Sequence, residues 1–224
     1  MTRRLRLLSI LYLLPSILVF SPGCNVLGVA ANALPAPTIQ AEYKNLAGQS
    51  VGVLVWVDRG IAVDWPTLSL DTAQAIQTQL QQIQHQNPKM KELAGATFPL
   101  KPESILRYLH DHPELDFTDV KQVAPRFGVQ RLIYVEVDDF STRAAASLEL
   151  YRGNMTGSMK VIEIDASGQA RIAYEENDIK AVFPPKASED GEVRGNDAEY
   201  YVGTVKEFAT RITWRVTPHQ EEEQ

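Results

Sequence analysis

The densest group of chemistry-bearing side chains is His110-Asp111-His112, followed by Glu114 and Asp116. Two histidines beside carboxylates can hold a divalent cation, with the acids completing its shell. The same segment falls where a helix should end before Pro113, and no second His or Cys pair stands elsewhere at ligand spacing. No resident metal is therefore expected, His110 and His112 being the weak candidates. A second group, Glu136, Asp138 and Asp139, follows the apolar run Leu132–Val135. Ligands favour the carboxyl ends of strands in open α/β sheets, so an acid pair there could exchange protons with a substrate. The plainer reading is that these acids mark the exit of a strand to solvent. Asp58-Arg59-Gly60 occupies a similar position after an earlier apolar run, without a glycine-rich phosphate cradle or a G-x-S-x-G elbow. The chain thus reads as non-enzymatic and free of cofactors. Trp65, Tyr200 and Tyr201 flank two helix starts and are expected to form one exposed patch for a protein partner. Trp56, inside an apolar strand, reads as core.

Those groups have to be placed by a chain of 224 residues with one cysteine. Residues 1–23 have the cationic start (Arg3, Arg4, Arg6), the apolar run Leu7–Phe20 and the polar end of an export signal, and the run is too short for a spanning helix. Gly23-Cys24 resembles the lipobox of bacterial lipoproteins, in which the cysteine becomes the lipidated first residue. Ser21 and Pro22 depart from the usual preferences, and Ala31-Asn32-Ala33 offers ordinary signal peptidase a competing cut. Residues 24–41 are small and proline-spaced, a tether. A chain beginning at Cys24 keeps 19 basic side chains against 28 acidic ones, a balance that excludes a general nucleic-acid binder.

The folded part is expected over 42–216, with an acidic tail over 217–224. Val51–Val57 is apolar without alternation, which predicts a central strand covered on both faces. Ala73, Ile76, Leu80 and Ile83 form one helical stripe, capped by Thr67 or Ser69, and the surrounding glutamines read as a solvated face. A short helix follows over Pro102–His110, then one from Thr118 that Pro125 shortens and Gly128 closes. Arg131–Val137 returns as a strand. Further strands are expected over 148–151, 154–165, 169–175 and 179–183, with Met159, Val161 and Glu163 pointing opposite to Lys160, Ile162 and Ile164. Asp165–Gly168 is a hairpin turn. A last helix, capped by Asn196 or Asp197, carries Val202, Val205, Phe208, Ala209 and Ile212 on one stripe. The fold class is therefore α/β (α+β): a mixed sheet of about five strands with packed helices.

This order resembles the amino-terminal domain of TolB and the periplasmic part of the curli-secretion lipoprotein CsgG. The matching residues are Val51–Val55, then Val123–Val129 running into Leu132–Val135, then the hairpin Met159–Gly168 with its D-x-x-G turn. Pro125 and Phe127 depart from the alanine-rich helix of that family. The resemblance implies a non-catalytic envelope lipoprotein, membrane-held through Cys24 at the outer membrane, acting through protein contacts in a ring or complex. A pore is not implied, because the long amphipathic strands that a channel needs, of about ten residues each, are not found in the sequence. The alternative is a soluble exported ligand-binding or hydrolytic domain, cut after Ala33 and using the acids near Asp138.

Overall fold

The computed structural model describes residues 37–112, 119–145, 147–186 and 190–220. The chain divides into two units, Met1–Thr38 and Ile39–Gln224. Almost all of the first lies outside the described residues, and with it the leader, Cys24 and the tether as far as residue 36, whereas at the tether's end Thr38–Ile39 is a strand and Ala41 is buried.

The second unit is built on four strands, β2 (Val51–Val57), β3 (Arg131–Ala144), β4 (Ser147–Ile164) and β5 (Ala170–Phe183), in the order β2-β3-β4-β5. β2 runs parallel to β3, with Val51 opposite Arg131 and Val57 opposite Val137; the other pairs are antiparallel. A two-stranded ribbon pairs β1 (Thr38–Ile39) with β6 (His219–Gln220). The helices are α1 (Arg59–Asp64), α2 (Leu68–Gln86), α3 (Pro102–Asp111), α4 (Val120–Val123) and α5 (Asp197–Val216). The mixed α/β class read from the sequence is the one observed.

Period-two alternation divides the sheet's side chains between two cores. On one face Val53, Val55, Ile133, Val135, Met159 and Val161 pack under Ile76 and Leu80 of α2 and Phe208 and Ile212 of α5. On the other, Leu54, Leu132, Tyr134 and Ile162 meet Ile105 of α3 and Val120, Val123 and Phe127. Helices thus cover both faces at one end of the sheet, which is why β2 reads as continuous hydrophobic sequence.

β2 is nevertheless an edge strand, not a central one. Its outer rim is blunted by backbone bonds with Thr97, which accepts from Val51 at 2.7 Å and donates to Gln49 at 2.9 Å. The Ser69 hydroxyl also donates to the Val55 carbonyl at 2.5 Å, so Ser69 ties α2 to the strand and caps nothing. After Asp58 the chain turns into helix α1, started by the Asp58 carboxylate, which accepts from the Gly60 amide at 2.7 Å.

The later strands are longer than their composition announces. β3, β4 and β5 run for 14, 18 and 14 residues, beyond the strands expected over 131–137, 154–165 and 169–175, which corrects the reading that long strands are missing. Bulges hide the continuity: the register shifts between Val137 and Asp139 and again between Gly157 and Met159. Each slip interrupts the apolar alternation while the backbone ladder continues. β5 forms the other edge, where exposed Arg171, Glu175 and Lys180 discourage pairing with another chain.

Pro125 shortens the fourth helix as expected: α4 has four residues, then Ala124–Phe127 forms a 3₁₀ turn that ends at Gly128 with φ 66°. Its cap is Asp119, whose carboxylate accepts from Lys121 N at 3.2 Å; Thr118 lies outside the described residues. The glutamines of α2 are not merely a solvated face. Gln74 donates to Glu103, Gln79 to Thr210, and Gln84 to the carbonyls of Leu93 and Ala96. They join α2 to α3, to α5 and to the loop that follows.

Candidate functional site

Among the described residues, the helices on the α3 side reach only part of the sheet, and beyond them the face is left open. Register places Trp56 beside Glu136, Glu136 beside Ser158, and Tyr134 beside Lys160, which faces Glu175. Trp56 is 37% exposed, a correction to its reading as core, because the second helical layer stops short of it. Lys160 Nζ lies 3.6 Å from Glu136 and 3.8 Å from Glu175, and the Ser158 hydroxyl donates to Glu136 at 3.4 Å.

Asp138 and Asp139 are both exposed, but they do not end a strand. β3 continues to Ala144, and the bulge turns both carboxylates to solvent in mid-strand. Neither the strand-end binding position nor the strand exit therefore describes them. Burial, then the carboxylates of Glu136 and Asp178, hold Asp138 above its ordinary value, with Lys160 opposing. The result is a polar strip with a single indole at its edge. It offers charged hydrogen bonds and a stacking surface.

The proposed aromatic patch divides in two. Trp65 stacks on Tyr201 at 5.4 Å and meets the edge of Phe140 at 5.1 Å, while the Tyr201 hydroxyl donates to Asp71 at 2.6 Å. Tyr200 is 3% exposed, 5.6 Å from Phe183 and 5.2 Å from Tyr151, and donates to the Arg194 carbonyl at 3.2 Å. Adjacent residues on a helix point about 100° apart, so Tyr200 and Tyr201 serve separate clusters. Trp65, Tyr200 and Tyr201 are packing groups, not one exposed patch.

His110 lies exposed in the last turn of α3, and the His112 ring rests 4.3 Å from Tyr108. Glu114 and Asp116 lie outside the described residues. Among the described residues no three His, Cys, Asp or Glu side chains group as a metal site.

A buried charge network at the opposite end of the sheet escaped the sequence reading. Glu163 of β4, with its side chain 11% exposed, accepts from the Tyr43 hydroxyl at 2.9 Å, lies 3.8 Å from Arg131 and pairs with Arg171. Burial pushes the Glu163 carboxyl up, but Tyr43 and the two arginines outweigh it and hold it below the usual range. Glu42, next to Tyr43, binds Arg215 at 2.8 Å and accepts from Tyr174 at 2.7 Å. The start of the folded unit is therefore fastened to β4, β5 and α5 by polar contacts. The sequence signal was Glu163 itself, a carboxylate on the inward period of β4.

No protein-family profile matches the chain, and no curated protein matches it. Its fold is similar to a PelC variant dodecamer from Paraburkholderia phytofirmans, at 7% identity over 80% of this chain and 98% of that one, TM-score 0.39. A PelC dodecamer in another crystal form gives 7% identity, 79% and 95% coverage and TM-score 0.41. A neuraminyllactose-binding hemagglutinin homolog from Helicobacter pylori gives 13% identity, 82% and 92% coverage and TM-score 0.29. At such values no residue role or activity passes from these proteins to this chain. The class defined by the fold is a mixed α/β domain with one sheet face partly open.

Proposed function

We propose that this chain is an exported, non-catalytic envelope lipoprotein whose α/β domain is a protein-interaction module, held to the outer membrane through Cys24. The observation that carries the interaction role is the open half of the sheet, where Trp56 stands exposed beside the Glu136–Lys160–Glu175 strip. An exposed tryptophan beside charged groups on rigid strands supplies both area and orientation for a contact. The leader, the Gly23-Cys24 junction and the proline-spaced tether support delivery of that face to an envelope partner or to further copies of the chain. The likeness of element order to the TolB and CsgG domains is compatible with this role. The acids on the strip serve recognition in this reading, not proton transfer.

A photo-crosslinking residue at position 56 tests it in cells. Adducts with an envelope protein are expected from position 56 and not from Gln86, at the far end of α2. Equal labelling from both positions, or none from 56, would contradict an interaction role for the open face.

A further inference from the structure

We propose that the hollow between α2 and α3 is a binding site for a neutral polyhydroxylated ligand, a saccharide of one or two rings. It lies beside the β2 edge, where α2 from one layer meets α3 from the other. Its volume is about 430 Å³, and its walls include Gln77, Thr78, Gln81, Phe98, Lys101 and Glu103. This is within the range of roughly 300–1,000 Å³ typical of small-molecule sites.

Two buried acceptors point to a ligand. Gln77 is only 7% exposed, yet its Oε1 has no partner. Glu103 Oε1 accepts from Gln74 at 2.7 Å, but Oε2, also buried, has none. Native proteins rarely leave buried acceptors unmet, and two on the walls of one hollow call for a donor. The rest of the lining selects which donor. Lys101 disfavours a cation, and Glu103 disfavours an anion. Glutamine amides and the Thr78 hydroxyl both give and take hydrogen bonds, as vicinal hydroxyls do, and Lys101 adds donors. Half-buried Phe98 adds an apolar ring for the C–H face of a sugar. Neither the open sheet face nor lipidation enters this argument, so it stands apart from the proposed interaction role.

The test is amide NMR of the isotope-labelled mature protein, titrated with cellobiose and with diacetylchitobiose, with putrescine as the cationic control. We expect one of the sugars to shift the side-chain amides of Gln74, Gln77 and Gln81, with a dissociation constant of about 1 mM. Gln81→Ala, at an exposed position, and Glu103→Ala should each weaken binding about tenfold. No shift by about 20 mM sugar would overturn the proposal. So would shifts from putrescine alone, shifts that survive both substitutions, or a Gln77 amide turned to donate to Glu103 with no sugar response.

Discussion

Tyr43→Phe removes one hydroxyl from the Glu163 network and little else. That hydroxyl donates to Glu163 Oε1 at 2.9 Å, and the carboxylate's side chain is 11% exposed, so water replaces the bond poorly. Hydrogen bonds to charged groups contribute about 1.5–3 kcal/mol. Arg131 at 3.8 Å and Arg171 remain to hold the charge, which favours the middle of that range, ~2 kcal/mol. For a domain of this size each kcal/mol lowers Tm by about 2–4 °C, so calorimetry should record a fall of about 4–8 °C. Glu163 is held below its ordinary value in the fold, so its contribution is present above the unfolded-state value and is lost as pH falls through the folded one. The difference between wild type and Tyr43→Phe should therefore shrink on acidification, toward the ~1 kcal/mol of a neutral hydrogen bond. A fall in Tm below about 1 °C at neutral pH, or a difference that grows in acid, would refute the reasoning.

Other substitutions probe the remaining layers. Phe208→Ala empties a fully buried position beneath the sheet, and denaturant unfolding should show a loss of about 3–5 kcal/mol. Gly203→Ala improves helix propensity, but its methyl would sit 2.5 Å from the Phe183 ring, so the same assay should show a net loss of about 1 kcal/mol or more. Asp138→Asn has the opposite sign. Because the carboxyl is held above its ordinary value, ionisation opposes folding at neutral pH. The variant should gain less than about 1 kcal/mol there, and the gain should disappear in acid, where the wild-type carboxyl is neutral.

How much of this was legible depends on which physical signal each residue carries. The stripe Ala73–Ile76–Leu80 and the hairpin turn at Asp165 declare themselves through periodicity and turn chemistry. Glycine at 168 takes φ 81°, and the Asp165 carboxylate accepts from the Ser167 and Gln169 amides. Val202, assigned to the buried stripe of the last helix, is 49% exposed, while Tyr200, assigned to the surface, is buried. The stripe on α5 runs through Tyr201, Val205, Phe208 and Ile212, with Tyr200 and Thr204 beside it, and a step of one residue turns a side chain about 100° around the helix, enough to carry position 202 out of the core. Trp56 was missed for another reason. Its neighbours along β2 are all buried, and only the point where the second helical layer stops decides that position 56 meets solvent. That boundary is tertiary and has no local signature. The mid-strand place of Asp138 and Asp139 is similar, since a bulge lets two charged residues interrupt a strand that continues to Ala144.

The most direct test of the central claim is the intact mass of the mature protein from a membrane fraction, beside a Cys24→Ser variant. The lipoprotein account predicts a diacylated chain beginning at Cys24, with the variant released to the soluble fraction. An unlipidated chain beginning at Leu34 would contradict it.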